Sequence, residues 1–108
     1  MKNDKIYIEH ILEAIQKIET YKKELDFDAF TKNDMAFDAI IRELEIVGEA
    51  SSNISKQFQE DHSDIPWRKV IGIRNMLIHE YFGVNKQIVW DTCKNDLPEL
   101  KKIIKTLL

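Results

Sequence analysis

Asp34-Met35-Ala36-Phe37-Asp38-Ala39-Ile40-Ile41-Arg42-Glu43-Leu44-Glu45-Ile46-Val47-Gly48-Glu49-Ala50 is the stretch that decides the fold. Phe37, Ile40, Ile41, Leu44 and Val47 recur three and four residues apart, which is the period of one helix face and not the two-residue alternation of a strand. The pattern predicts a helix that starts between Thr31 and Asp34 and runs to about Phe58. Gly48 lies in its apolar stripe, where glycine costs about 1 kcal/mol against alanine. A glycine there reads as room for a second helix to come close.

The same period extends outward from this segment. Upstream, Ile8, Ile11, Leu12, Ile15 and Ile18 predict an amphipathic helix that fades near Leu25, with Glu13 and Lys17 as a favourable i, i+4 pair on its wet side. Asp26, Asp28 and Thr31 read as a loop between the two helices. Downstream, Glu60 to Asp64 reads as a solvated acidic loop. Pro66 suits the first turn of a third helix, where its missing N–H costs nothing. That helix carries the stripe Val70, Ile71, Leu77, Ile78 and Tyr81, and Gly83 is its stop signal. Asn85 is a candidate cap for a fourth helix through Trp90 to Cys93. Asn95 or Asp96 is a candidate cap for a fifth, with Pro98 in its first turn and Leu100, Ile103, Ile104 and Leu107 facing inward. The expected fold is an all-α antiparallel bundle of four to five helices, one domain over residues 1–108.

Composition agrees. The chain of 108 residues is 44% hydrophobic and 32% charged, with three Gly and two Pro, too few turn residues for a sheet-rich fold. No apolar run approaches the roughly 20 residues that span a bilayer, and no secretory leader is visible, so a cytoplasmic protein is expected. Cys93 is alone, which leaves no disulfide framework. A net charge of −3 argues against a passive nucleic-acid coat, because affinity for a phosphate backbone comes from displacing counterions with Lys and Arg. Any action on RNA requires a local basic rim, for which Arg42, Lys56, Arg68, Lys69 and Lys86 are the candidates.

The chemistry-bearing residues concentrate in Arg74-Asn75-Met76-Leu77-Ile78-His79-Glu80-Tyr81. At 100° per residue Arg74 falls in the middle of the third helix's apolar arc, where a permanent charge needs a carboxylate, a substrate phosphate or a second subunit. His79 lies roughly 140° further round, on the side of Asn75 and Gly72, so one helix does not aim both at a point. Loosening of the helix near Gly83, or pairing of two subunits, would bring them together. Cleavage of RNA by its own 2′-hydroxyl needs a proton acceptor near neutral pH and a fixed positive group for the charge developing at phosphorus, and His79 and Arg74 have those properties. No metal or cofactor is called for. His10, His62 and His79 have no ligand spacing, and no Gly-rich phosphate loop occurs. Each residue also has a plain structural reading: Arg74 as an ion pair with Glu45 or Glu49, His79 at the negative end of a helix dipole, Tyr81 as a packed ring, and Trp67 and Trp90 as core.

Residues 74–81 resemble the Arg-x-x-x-x-His-x-Tyr signature of HEPN-domain toxins of the HepT type. Ile41 to Ala50 is similar to that family's second-helix motif, Ile65 to Asn75 to its entry into the third helix, and Ile88 to Asp91 with Asp96 to Pro98 to its C-terminal part. The resemblance spans about residues 5 to 105. It implies a helical-bundle homodimer whose active cleft lies between subunits. It further implies the metal-independent ribonuclease of a bacterial or archaeal toxin–antitoxin module, with Arg74 and His79 catalytic and Asn75 as a conformational or polar support beside His79. Tyr81 is then the residue to which a partner, a minimal nucleotidyltransferase antitoxin, transfers AMP from ATP. The alternative is a non-catalytic helical interaction module that binds a nucleotidyltransferase or a nucleotide, with Arg74 and His79 serving recognition.

Overall fold

A computed structural model describes residues 3–79 and 85–108, and all regular structure among them is helical. The elements are α1 (Asp4–Lys22), α2 (Phe27–Lys32), α3 (Asp34–Asn53), α4 (Lys56–Asp61), α5 (Trp67–His79), α6 (Lys86–Asp91), a π-helical turn (Thr92–Asp96) and α7 (Leu97–Lys105). The expected all-α bundle is present. α3 is central, with α1 packed along one side, α5 along another, and α7 resting on α1. Ile8, Ile11, Ile15 and Ile18 of α1 and Ile40, Leu44 and Val47 of α3 are buried together, as their period requires. Val70 and Leu77 of α5 and Leu100 and Ile104 of α7 join the same core.

Four boundaries differ from expectation, each for a local reason. The stretch read as a loop at Asp26 to Thr31 contains α2, capped by Asp26, whose Oδ1 accepts from Ala29 N–H at 2.8 Å. Its Phe30 is wholly buried, against the rings of Phe37 and Trp90. The long second helix ends at Asn53, not Phe58. Ile54 turns extended, and Ser55 caps a separate α4 by accepting from Phe58 N–H. Ser55 also donates its N–H and hydroxyl to the Asp4 carboxylate at 2.9 and 2.7 Å, tying the start of α1 to the α3–α4 corner. The acidic segment begins inside α4, which runs to Asp61. Neither Asn95 nor Asp96 starts the last helix as a cap. Asp96 is helical, accepts no capping bond, and faces Lys69 at 3.0 Å. Pro98 has no N–H to return to the preceding turn, and the chain widens there into the π turn.

Other expectations hold. Asn85 Oδ1 accepts from the N–H groups of Gln87 and Ile88. The Pro66 carbonyl accepts the Val70 N–H, so the proline stands at the very start of α5. Trp67 and Trp90 are core residues, Trp67 donating its indole N–H to the His62 carbonyl at 3.0 Å. No helix among the described residues is long and apolar enough to cross a membrane. Gly83 and Tyr81, and the side chain of Ile78, lie outside the described residues.

Cys93 is buried, and loss of hydration pushes its thiol up to about 12, the Lys22 ammonium opposing this only in part. Near neutral pH the thiol is then held in its protonated, unreactive form. A disulfide reagent is therefore expected to leave Cys93 unmodified in the native protein and to modify it at once in denaturant. Rapid native labelling would contradict the burial.

Candidate active site

α5 meets α3 at a single tight crossing. A Cβ built on Gly48 would stand 2.2 Å from Arg74 Cβ and 3.1 Å from Arg74 Cα, so only glycine fits opposite this arginine. The close approach read from the sequence is present, and it is an approach to the candidate catalytic residue. Arg74 therefore sits where α3 and α5 come too close to admit a side chain at Gly48.

From there the guanidinium runs outward along α3. Its Nε lies 2.7 Å from Glu49 Oε2, one of the two carboxylates expected as partners. The N–H is not aimed at that oxygen, and Nε, itself shielded from solvent, makes no hydrogen bond. The contact is thus a charge contact, which leaves the fork incompletely satisfied. Nη1 donates to Asn75 Oδ1 at 3.4 Å, a long bond that places the proposed supporting residue beside the arginine. The Arg74 side chain keeps 31% of its surface exposed and that of Glu49 58%. Arg42, Glu45, Ile46, Glu49 and Arg74 surround a shallow cavity of about 260 Å³. Two arginines and two carboxylates thus face one open hollow where an anion would compete with Glu49 for Arg74.

The backbone of His79 is described as the last residue of α5, and its side chain lies outside what is described. α5 is helical from Trp67 to His79, so the register argument stands: position 79 is about 140° round from position 74. Within the described residues no loosening of the helix brings them together. Among those residues, no three His, Cys, Asp or Glu side chains group so as to hold a metal ion.

The proposed basic rim does not form one patch. Lys56, Arg68 and Lys69 line a single open groove between α4 and α5, while Arg42 belongs to the Arg74 hollow. Lys86 is committed at the α2–α3 corner, where its ammonium donates to the Thr31 carbonyl at 2.9 Å. The sequence places Asn75, Gly72 and His79 on one side of the helix and names Arg68 as a rim candidate, without joining it to that side. The signal was present, since 68, 72, 75 and 79 follow i, i+4, i+7, i+11.

The family model of ribonuclease HepT-like proteins matches residues 11–107. The chain belongs to that family. This HepT-like chain is 44% identical over 108 residues to a protein of Caldanaerobacter subterraneus subsp. tengcongensis named as a candidate RNase, covering 100% of this chain and 96% of the relative. It is 45% identical over 100 residues to a Thermococcus cleftensis protein named as a probable ribonuclease HepT, covering 93% and 91%. A Methanocaldococcus jannaschii protein named as both a gamma-glutamylcyclotransferase and a candidate RNase is 41% identical over 107 residues, 99% of this HepT-like chain but 48% of the relative. No solved structure matches the chain.

Proposed function

We propose that this HepT-like chain is the toxin of a HEPN/MNT toxin–antitoxin module, a ribonuclease of the cytoplasm that works without metal. The observation that carries the reading is Arg74, a charge fixed at a helix crossing, incompletely hydrogen-bonded, and facing an open hollow five residues before His79. In the proposed reaction the 2′-oxygen of the RNA bonds to the adjacent phosphorus while His79 takes its proton. The P–O5′ bond breaks, and the departing 5′-oxygen takes a proton from solvent. Arg74 offsets the charge on the non-bridging oxygens, and Asn75 holds the guanidinium from the side. The products carry 2′,3′-cyclic phosphate and 5′-hydroxyl ends.

The angular separation of Arg74 and His79 along α5 supports a homodimer, in which each centre draws on both copies. The control step of the same reading is transfer of AMP by a minimal nucleotidyltransferase. The Tyr81 oxygen bonds to the α-phosphorus of ATP, its proton passes to solvent, and pyrophosphate leaves. The added negative charge then repels an RNA strand.

The test separates a catalytic arginine from a structural one. A half-exposed pair such as Arg74–Glu49 contributes at most about 1 kcal/mol to stability. Loss of a group that stabilises the transition-state charge costs about 10²- to 10³-fold in rate. Arg74→Ala is therefore expected to lose cleavage of total cellular RNA by at least that lower factor, with a urea midpoint close to that of the wild type. A variant that cuts RNA normally but unfolds early makes Arg74 a structural ion pair and sinks the proposed role.

A further inference from the structure

The groove between α4 and the start of α5 has no part in the reaction described above. It is an open depression lined by Lys56, Gln59, Ser63, Arg68 and Lys69, with Glu60 the one acidic residue on its wall. Lys69 is engaged by Asp96 at 3.0 Å, whereas Lys56 and Arg68 are exposed and form no ion pair among the described residues. Two uncommitted cations in one groove stand out in a chain of net charge −3.

Arg68 is also the first member of a stripe along α5. Gly72 and Asn75 follow it, both exposed, and position 79 completes the register about 16 Å further along the axis. Among the described residues Gly72 has no packing role, since a Cβ built there would meet nothing within 4 Å. Among residues other than proline, glycine is the least favourable in a helix interior. Gly48 is required by Arg74, whereas nothing among the described residues requires Gly72. The bare backbone there leaves room for something to lie close against α5.

We propose that Lys56 and Arg68 form an entry track for the phosphates of single-stranded RNA, and that Gly72 lets the strand lie close to α5 on its way to His79. The inference rests on the RNA-cutting reading and adds the path by which the substrate is held. Positive charge on the groove matches a polyanion, and the axial span of the stripe matches a few nucleotides.

The experiment measures binding apart from cleavage. His79→Ala protein, with or without Lys56→Gln and Arg68→Gln together, is titrated against fluorescein-labelled oligouridylate over a series of salt concentrations. Each phosphate contact on a single strand adds about 0.7 to the slope of log K against log salt, so the double change is expected to flatten it by about 1.4 and to weaken binding about ten-fold at physiological salt. Lys102→Gln with Lys105→Gln, exposed on α7 and outside the groove, is the charge-matched control and is expected to leave the slope unchanged. Gly72→Gln is expected to weaken binding several-fold without lowering the melting temperature. An unchanged slope in the groove variant, an equal change in the control, or no binding of oligouridylate by the His79→Ala parent overturns the track. So does a groove variant that loses only the nucleotidyltransferase partner. Cleavage by the wild type is scored independently. RNA cut with the groove dispensable leaves the ribonuclease reading standing without the track, and groove-dependent binding with no cutting does the reverse.

Discussion

Purified His79→Ala is expected to leave total cellular RNA intact where the wild type cuts it, in EDTA and with Tyr81 unmodified. General acid–base catalysis contributes about 10²- to 10⁴-fold, and here the imidazole is the one group asked to take the 2′-proton, so the loss belongs at the upper end. The wild-type fragments should end in 2′,3′-cyclic phosphate, because the attacking oxygen is the RNA's own. Cutting that stops in EDTA, or products with linear 3′-phosphate from the first time point, would point to an activated water instead and remove His79 from the proposed role. Folded protein that cuts nothing would favour the non-catalytic interaction module.

How much of this was legible in the sequence depends on the length of each signal. The long stripes of α1 and α3 repeat over several turns, so their periods stand out, and Gly48 within one of them announced the α3–α5 crossing correctly. α2 and α4 have six residues each, too short for a period to repeat. Their marks are the caps Asp26 and Ser55, the latter in the turn-prone run Ser51-Ser52-Asn53-Ile54-Ser55, which carries no Gly or Pro. The join of α6 to α7 was obscured in another way. Asn95 and Asp96 are good cap residues by type, yet the chain passes through them as a π turn, and Asp96 is used sideways by Lys69. At the site, charge burial predicted that Arg74 would need a partner, and Glu49 was one of two named. The rim was over-read because basic residues are easy to list and their neighbours in space are not. Only the pairing of α4 with α5 shows that Lys56 belongs with Arg68 and that Lys86 does not.

Alanine at the two helical glycines is expected to act in opposite directions, with the larger effect at Gly48. In an open helix interior, glycine to alanine gains about 1 kcal/mol. Gly72 meets that description, its new methyl finding nothing within 4 Å, so Gly72→Ala should raise the melting temperature by about 4–8 °C for a domain of this size. At Gly48 the same methyl would meet Arg74 Cβ at 2.2 Å, with Arg74 Cα and N at 3.1 and 3.2 Å. Those atoms are backbone or fixed to it, so no rotamer change relieves the contact and α3 and α5 must move apart. Overpacking of this kind costs about 1–3 kcal/mol or more. Separation of the helices also opens contacts of Val47, Val70 and Leu77, so the net result should be a clear loss of stability despite the gain in propensity. Arg74→Gly in the Gly48→Ala background removes the opposing Cβ and should recover part of the loss, a coupling expected only of residues in contact. Because the crossing also aims the guanidinium at its hollow, Gly48→Ala protein that is still folded should cut RNA more slowly than its folded fraction explains. Urea midpoints for both single variants decide the matter. If Gly48→Ala is as stable as Gly72→Ala, α3 and α5 do not touch at that point, and the placement of Arg74 built on their contact is wrong.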